Sequence, residues 1–397
     1  MLRFLEFTKV WKSTKIGEIA DIVGGGTPRT EVEEYWDGEI KWFTPSEIGK
    51  TKYIFDSKRH ITDKGLKNSS AKLLPKDTIL LSSRATVGEI SIALTECSTN
   101  QGFQSLITKN NVDNDFIYYL ISTIKNEFLR RSSGSTFLEI SKNEIKRIPI
   151  NIPELSEQNK ISNLFSAIDN KIEMLEKKHQ YYQDFKKYLM QRIFSSQDDK
   201  LRFENYNEAI YKLSDLYSSK KGTGLSKDKL DEEGLNKCIL YGELYTTYNE
   251  IIQDVKSKTN SQEGILSKVG DILIPSSTTT KGIDLVTASV ILEENVLLSG
   301  DITILRSKNE NIINNKFFAY YFTNNLVKDV SKLTQGSTII HLYWKDFKKV
   351  KLALPPINEQ NKCVDLFLKL DKKIDLINFQ IQKMEEFKKG LLQQMFV

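Results

Sequence analysis

Pro153-Glu154-Leu155-Ser156-Glu157-Gln158-Asn159-Lys160 and Pro355-Pro356-Ile357-Asn358-Glu359-Gln360-Asn361-Lys362 are two copies of one segment, and the likeness runs without a gap from 153–194 onto 355–396. Roughly 17 of about 42 paired positions are identical, too many for chance in an ungapped alignment. The chain is therefore a duplication. In the first copy Ile161, Ile168, Leu175, Tyr182 and Leu189 are spaced by seven, with Leu164 and Phe185 at the complementary position and Phe165, Ile172 and Ile193 beside them. The second copy shows Cys363, Leu370, Ile377, Met384 and Leu391, flanked by Leu366, Phe367, Ile374, Ile381, Phe387 and Met395. An apolar residue every seventh position makes a helical coiled-coil seam, here with a widened face. Lys171, Lys178, Lys373 and Gln380 interrupt the stripes, so each helix calls for a partner, either the other helix or a second protein. Pro153 and Pro355 punctuate the entries, and the Glu-Gln-Asn-Lys segments put acid near the positive helix ends. A helix from Glu157 to Phe194 extends roughly 57 Å at about 1.5 Å per residue.

Working outward, each helix follows about 150 residues of short strand-like runs separated by Gly and polar turns. The expected fold class is α+β, with two similar α+β modules separated by two long helices that form an antiparallel coiled coil. The expected boundaries are 1–152 and 199–354 for the modules, and 153–198 and 355–397 for the helices. An antiparallel pair puts one module at each end, which suits a target divided into two half-sites about one DNA turn, roughly 34 Å, apart. A dimerisation helix with no metric role stays open as the alternative. No helical segment is expected before the first module, and the last helix is expected to run to Val397.

Traces of the duplication cross the modules. Phe116-Ile117-Tyr118-Tyr119 pairs with Phe318-Ala319-Tyr320-Tyr321, Gly134-Ser135-Thr136 with Gly336-Ser337-Thr338, and Asp77-Thr78-Ile79-Leu80 with Asp271-Ile272-Leu273-Ile274. The first half of each module diverges. One has Gly24-Gly25-Gly26-Thr27-Pro28-Arg29 and then Tyr35-Trp36-Asp37-Gly38-Glu39-Ile40-Lys41-Trp42; the other has Lys220-Lys221-Gly222-Thr223-Gly224 and then Cys238-Ile239-Leu240-Tyr241. One frame with two different inserts would read two different sequences.

Composition sets wider bounds. At 397 residues the chain holds two or three domains, and 39% hydrophobic residues are enough to fold them. A formal charge of +5 permits a nucleic-acid partner without arguing for one. Cys97, Cys238 and Cys363 are odd in number and far apart, which fits reduced thiols. The start lacks a signal peptide's continuous apolar core, and no apolar run approaches about 18 residues. A soluble cytoplasmic protein without a membrane partner is expected.

These residues resemble the DNA specificity (S) subunit of type I restriction-modification enzymes over nearly the whole chain. The likeness rests on Gly-Gly-Thr-Pro before Tyr-Trp-Asp-Gly-Glu-Ile-Lys-Trp, the two Gly-Ser-Thr segments, Asn100-Gln101-Gly102-Phe103, and Leu-Pro-Pro-Ile-Asn-Glu-Gln before the last helix. The resemblance implies two target recognition domains, each reading half of an asymmetric bipartite DNA site. It implies helices that act as spacer and as docking surface for two methyltransferase subunits, with a restriction/translocase subunit beyond them. It also implies that S-adenosylmethionine, ATP and Mg²⁺ bind those partners and that this chain holds no cofactor of its own.

The residues agree that catalysis is not encoded here. The Asn/Asp-Pro-Pro-aromatic motif of a DNA methyltransferase is missing; Leu354-Pro355-Pro356-Ile357 lacks both the polar donor and the aromatic. Gly49-Lys50-Thr51 ends like a phosphate-binding loop, but Thr44 stands where the leading glycine must bend the backbone. The main rival reading is a stand-alone nuclease or methyltransferase, built around Glu39 and Lys41, with Asp21 or Asp37, or around an unrecognised cofactor pocket. A coiled-coil scaffold that binds only protein is the third. His60, His179 and His341 are isolated, which argues against a histidine metal or triad site.

DNA recognition needs polar groups for base edges and cations for phosphates. In the first module the candidates are Thr27, Arg29, Ser83, Arg84, Thr86, Gln101, Ser135 and Thr136. In the second they are Lys220, Lys221, Tyr245, Ser277, Thr279, Lys281, Ser337, Thr338 and His341. Trp36 and Trp42 read as core. The helix-pair or partner interface is expected at Ile161, Leu164, Ile168, Ile172, Leu175, Tyr182, Phe185 and Leu189, and at Leu366, Leu370, Ile374, Ile377, Met384, Phe387 and Leu391.

Overall fold

In the computed structural model, which describes residues 2–134, 138–195, 201–204 and 206–396, tertiary contacts divide the chain into two compact units. Met1–Glu176 with Asn378–Val397 forms one, and Lys177–Ile377 the other. The two long helices span Leu155–Ile193 and Ile357–Met395, beginning two residues after Pro153 and Pro355. Each unit thus combines one module with part of both helices.

In the first unit, strand Lys12–Lys15 pairs antiparallel with Pro149–Ile152, tying the module's entry to its exit. A five-stranded sheet follows in the order Ala20–Gly24, Gln104–Thr108, Ile79–Leu81, Ile90–Ala93, Tyr53–Ile54. Beside it lies a three-stranded sheet of Arg59–Ile61, Trp36–Phe43 and Cys97–Thr99. The central strands are buried on both faces, which explains their apolar character; the one polar residue among them, Ser91, donates to Thr51 O at 2.7 Å.

The second unit repeats this plan. Ala209–Lys212 pairs with Lys351–Leu354, and a five-stranded sheet runs Tyr217–Lys221, Ile302–Ser307, Ile272–Pro275, Ser289–Ile291, Ile251–Ile252. The smaller sheet gains a strand: Lys258–Thr259, Asn236–Ile239, Leu297–Leu298, Ile265–Leu266.

Within each unit the start of one long helix runs antiparallel to the end of the other. In the first, Asp169 pairs with Lys388 at 2.6 Å; in the second, Asp371 pairs with Lys186 at 2.6 Å. These four residues are two repeat-related pairs, so the duplication supplies both halves of each lock. The widened apolar face now has a cause. Ile161, Phe165 and Ile168 enter the first module's core beside Phe116 and Tyr119, where Met384, Leu391 and Met395 also pack. Leu189, Leu366 and Leu370 do the same in the second, with Tyr182 at the edge. Leu175 and Ile377 are buried; Leu164, Ile172 and Ile374 are half-buried. Phe185 and Phe387, a repeat-related pair, are 36% and 55% exposed, and Phe387 borders a groove that Leu175 and Met384 also line.

The sequence pairing of Phe116–Tyr119 with Phe318–Tyr321 is one residue out. Helix Asn114–Thr123 is capped by Asp113, and helix Asn315–Asn325 by Asn314. The backbone N–H of each cap donates to a repeated glutamine, Asp113 to Gln158 at 3.0 Å and Asn314 to Gln360 at 2.9 Å. Tyr119 therefore corresponds to Tyr320, and each phenol donates to the repeated aspartate, Asp169 or Asp371.

Candidate nucleic-acid interface

The elements that differ between the modules gather at corresponding ends of the five-stranded sheets. In the first module the chain leaves strand Ala20–Gly24 through a passage too narrow for side chains. A Cβ on Gly25 would lie 2.1 Å from the Asn100 carbonyl oxygen, and one on Gly26 would lie 2.2 Å from Ser70 Oγ. Gly26 N–H donates to Thr99 O at 2.8 Å, and the Thr27 hydroxyl donates to Gln101 Oε1 at 2.5 Å. The glycine loop and the Asn-Gln-Gly-Phe segment, distant in sequence, are thus one surface. Ser83 N–H donates to Gly102 O at 2.8 Å, and Ile140 N–H to Ser83 O at 2.9 Å, which joins the Arg84 loop and the chain at Ile140 to it.

Arg84 and Thr86 are exposed in that loop, and Ala85 between them takes φ +65°, a conformation that disfavours a Cβ. Arg84 Nε lies 3.7 Å from Glu139, a loose pair between half-exposed groups. Arg29 and Gln101 are exposed and Thr27 is half-buried. Ser83 needs correction: its side chain is fully buried, so only its backbone works here, as a tie between loops. Ser135 and Thr136 lie outside the described residues.

The second module builds the corresponding end differently. Gly222 passes so close to Ser299 that a Cβ would lie 1.9 Å from its carbonyl oxygen. Asp301, at φ +57°, organises the loops: its carbonyl accepts from Ser276 N at 2.7 Å, and its carboxylate accepts from Ser277 Oγ at 2.9 Å and pairs with Lys221 at 3.3 Å. Ser277 is therefore a buried strut, a second correction to the contact set. His341 pairs with Gln335 through backbone bonds in both directions; its ring stacks on Tyr343 and shares a 3.0 Å hydrogen bond with the phenol. Lys221 sits over the same Tyr343 ring at 5.5 Å. Lys220, Thr279, Lys281, Ser337 and Thr338 are exposed. Tyr245 lines an open cleft of about 980 Å³ together with Lys221, Thr223, Tyr241 and Asp301. Glycine loops, hydroxyls and cations at one sheet end are the donor set that a phosphate backbone and base edges require.

Sequence reasoning missed the residues that fix the modules to the helices. Glu157, read as acid near a helix end, is fully buried; it accepts from Arg3 Nε and Nη2 at 2.6 Å each and from the Trp11 indole N–H at 3.2 Å. Glu359 takes the Phe203 backbone N–H at 2.6 Å in the corresponding place. Their recurrence in both copies was the available signal. Lys52 reaches Tyr119 OH at 3.0 Å, Ser166 Oγ at 2.9 Å and Asp115 at 3.1 Å; burial holds its pKa below the ordinary lysine value despite that carboxylate. Lys41 bonds Thr95 and covers the Phe55 ring, and among the described residues no three His, Cys, Asp or Glu side chains gather as a metal ion would need. Among the same residues no helix is long and apolar enough to cross a membrane.

Fold and site together define a duplicated α+β protein that carries two unlike loop surfaces on one repeated frame. The sequence profile of the type I restriction modification DNA specificity domain matches twice, over residues 8–181 and 206–386, and the chain belongs to that family, whose members are non-catalytic DNA-recognition subunits. The specificity subunit of the type I restriction enzyme MjaIX from Methanocaldococcus jannaschii is 29% identical over 413 residues, covering 97% of this chain and 92% of that one. The EcoR124I/EcoR124II specificity subunit from Escherichia coli is 27% identical over 202 residues, or 46% of this chain and 49% of its own. The crystal structure of the type I S subunit from M. genitalium superposes with TM-score 0.60 at 18% identity, covering 99% and 98% of the two chains. A chain from a structural study of complex assembly and conformational transition in the type I system gives TM-score 0.63 at 15% identity, covering 99% of each chain.

Proposed function

We propose that this specificity subunit reads a bipartite, asymmetric DNA site, residues 1–152 recognising one half and residues 199–354 the other. What supports this is the repetition of one strand order in both modules with different loops at the corresponding sheet end. Contacts are assigned to Thr27, Arg29, Arg84, Thr86 and Gln101 in the first module, and to Lys220, Lys221, Tyr245, Thr279, Lys281, Ser337, Thr338 and His341 in the second. The segments 153–198 and 355–397 act as spacer and carry the docking surface for two methyltransferase subunits. Phe185 and Phe387, with neighbouring exposed Tyr181, Tyr188 and Phe379, supply aromatic anchors of the kind interfaces favour. A restriction/translocase subunit completes the complex, S-adenosylmethionine, ATP and Mg²⁺ bind the partners, and the complex works in the cytoplasm. Mapping methylated bases in a host that carries this chain and its methyltransferase tests the reading. Methylation should fall in two different half-sites separated by unread base pairs; a single uninterrupted site would refute it.

A further inference from the structure

The first module presents a cation that its candidate contacts do not include. Trp36 and Trp42 meet edge to face with centroids 5.1 Å apart, and both are buried. Both indole N–H groups hold the glycine loop: Trp36 Nε1 donates to Arg29 O at 3.1 Å, and Trp42 Nε1 to Gly26 O at 2.9 Å. The adjacent strand pairs Arg59 opposite Trp42, and the Arg59 guanidinium lies 3.6 Å from the Trp36 ring centroid and 5.7 Å from that of Trp42. Arg59 is nonetheless exposed, and among the described residues no carboxylate pairs with it. Two carboxylates that precede it in the chain are engaged elsewhere. Asp56 holds His60, and Glu47 takes the N–H groups of Thr44 and Lys58.

An exposed arginine ordinarily samples many rotamers, and binding must then freeze them. Stacking on an aromatic face fixes the guanidinium plane beforehand and leaves its donors unspent. A fixed planar fork suits an acceptor pair of fixed geometry, such as guanine O6 and N7 in the major groove. Phosphate contact asks only for charge and reach, which exposed Lys58 next to it already provides. We infer that Arg59 is a specificity-determining residue of the first module that reads a guanine edge, positioned by the tryptophan pair that also sets the Gly24–Arg29 loop. This rests on the DNA-recognition reading above.

The test uses the full chain assembled with its methyltransferase, as wild type, Arg59→Lys and Arg59→Ala, checked for equal melting temperature. The probes are duplexes carrying the mapped methylation site and each single base-pair substitution of it. Wild type should demand G·C at one position of one half-site. Arg59→Ala should weaken cognate binding by about tenfold or more and erase discrimination at that position alone. Arg59→Lys, which keeps the charge but not the fork, should erase the same discrimination with a smaller loss of affinity. Equal weakening on every duplex, with a shallower salt dependence, would make Arg59 a phosphate contact and overturn the inference, as would unchanged binding. Wild type without any sequence preference would instead overturn the recognition reading on which it rests.

Discussion

Tyr119 and Tyr320 show how one side chain can join a recognition module to the helices beneath it. Each phenol is buried and donates to an aspartate that a lysine from the antiparallel helix segment also holds. Burial is the main reason their pKa values stand well above the ordinary 10, and the neighbouring aspartates push the same way. A raised folded pKa means that the unfolded chain releases the proton first. The contribution is therefore complete below pH 10 and is lost as pH climbs above it, by up to about 1.4 kcal/mol per pH unit for each tyrosine. Urea unfolding of wild type and of Tyr119→Phe with Tyr320→Phe, compared between pH 8 and 11, should show the steeper alkaline loss in wild type. Parallel curves would show that these phenols do not set the alkaline limit. Sequence gave the aspartates and lysines as repeated letters, but it assigned the second tyrosine one position out. The helix cap, not the local string, decides which tyrosine faces the helix.

Among the elements, the long helices were the most legible, because a seven-residue apolar period needs no tertiary information to be read. Their width was legible but not its meaning: part of each stripe faces a module rather than the other helix. Gln158 and Gln360 make the junction specific. Each accepts from the cap of a module helix and donates to the carbonyl of the proline at its own helix entry, Pro153 or Pro355 at 2.9 and 2.8 Å. Replacing either by Leu leaves a half-buried backbone N–H without its acceptor, at a cost of up to about 1–3 kcal/mol. Denaturant titration of Gln158→Leu, Gln360→Leu and the double variant should give two losses of that size that add, since the sites lie in different units. A loss below about 0.5 kcal/mol in either single variant would show that water substitutes for the glutamine.

For the whole molecule, the proposed function turns on helix length. Seven extra residues preserve the phase of the apolar stripe and lengthen a helix by about 10 Å, close to the rise of three base pairs. On the proposed reading, a heptad added to both helices at matched levels should widen the unread gap by about three base pairs and leave both half-sites unchanged. Methylation mapping reads this directly. An unaltered gap would remove the spacer role while leaving recognition in place.

The sequence by itself determined the duplication, the two helices, the α+β modules and the family, because ungapped repetition and periodicity are properties of order along the chain. Tertiary structure decided the rest. It showed that the Gly24–Gly26 loop and Asn100-Gln101-Gly102-Phe103 are one surface, that Ser83 and Ser277 are struts, and that Arg59 stands on Trp36. Each of these depends on which strand lies beside which. That choice is fixed by burying whole sheet faces at once and leaves no local trace in any single loop.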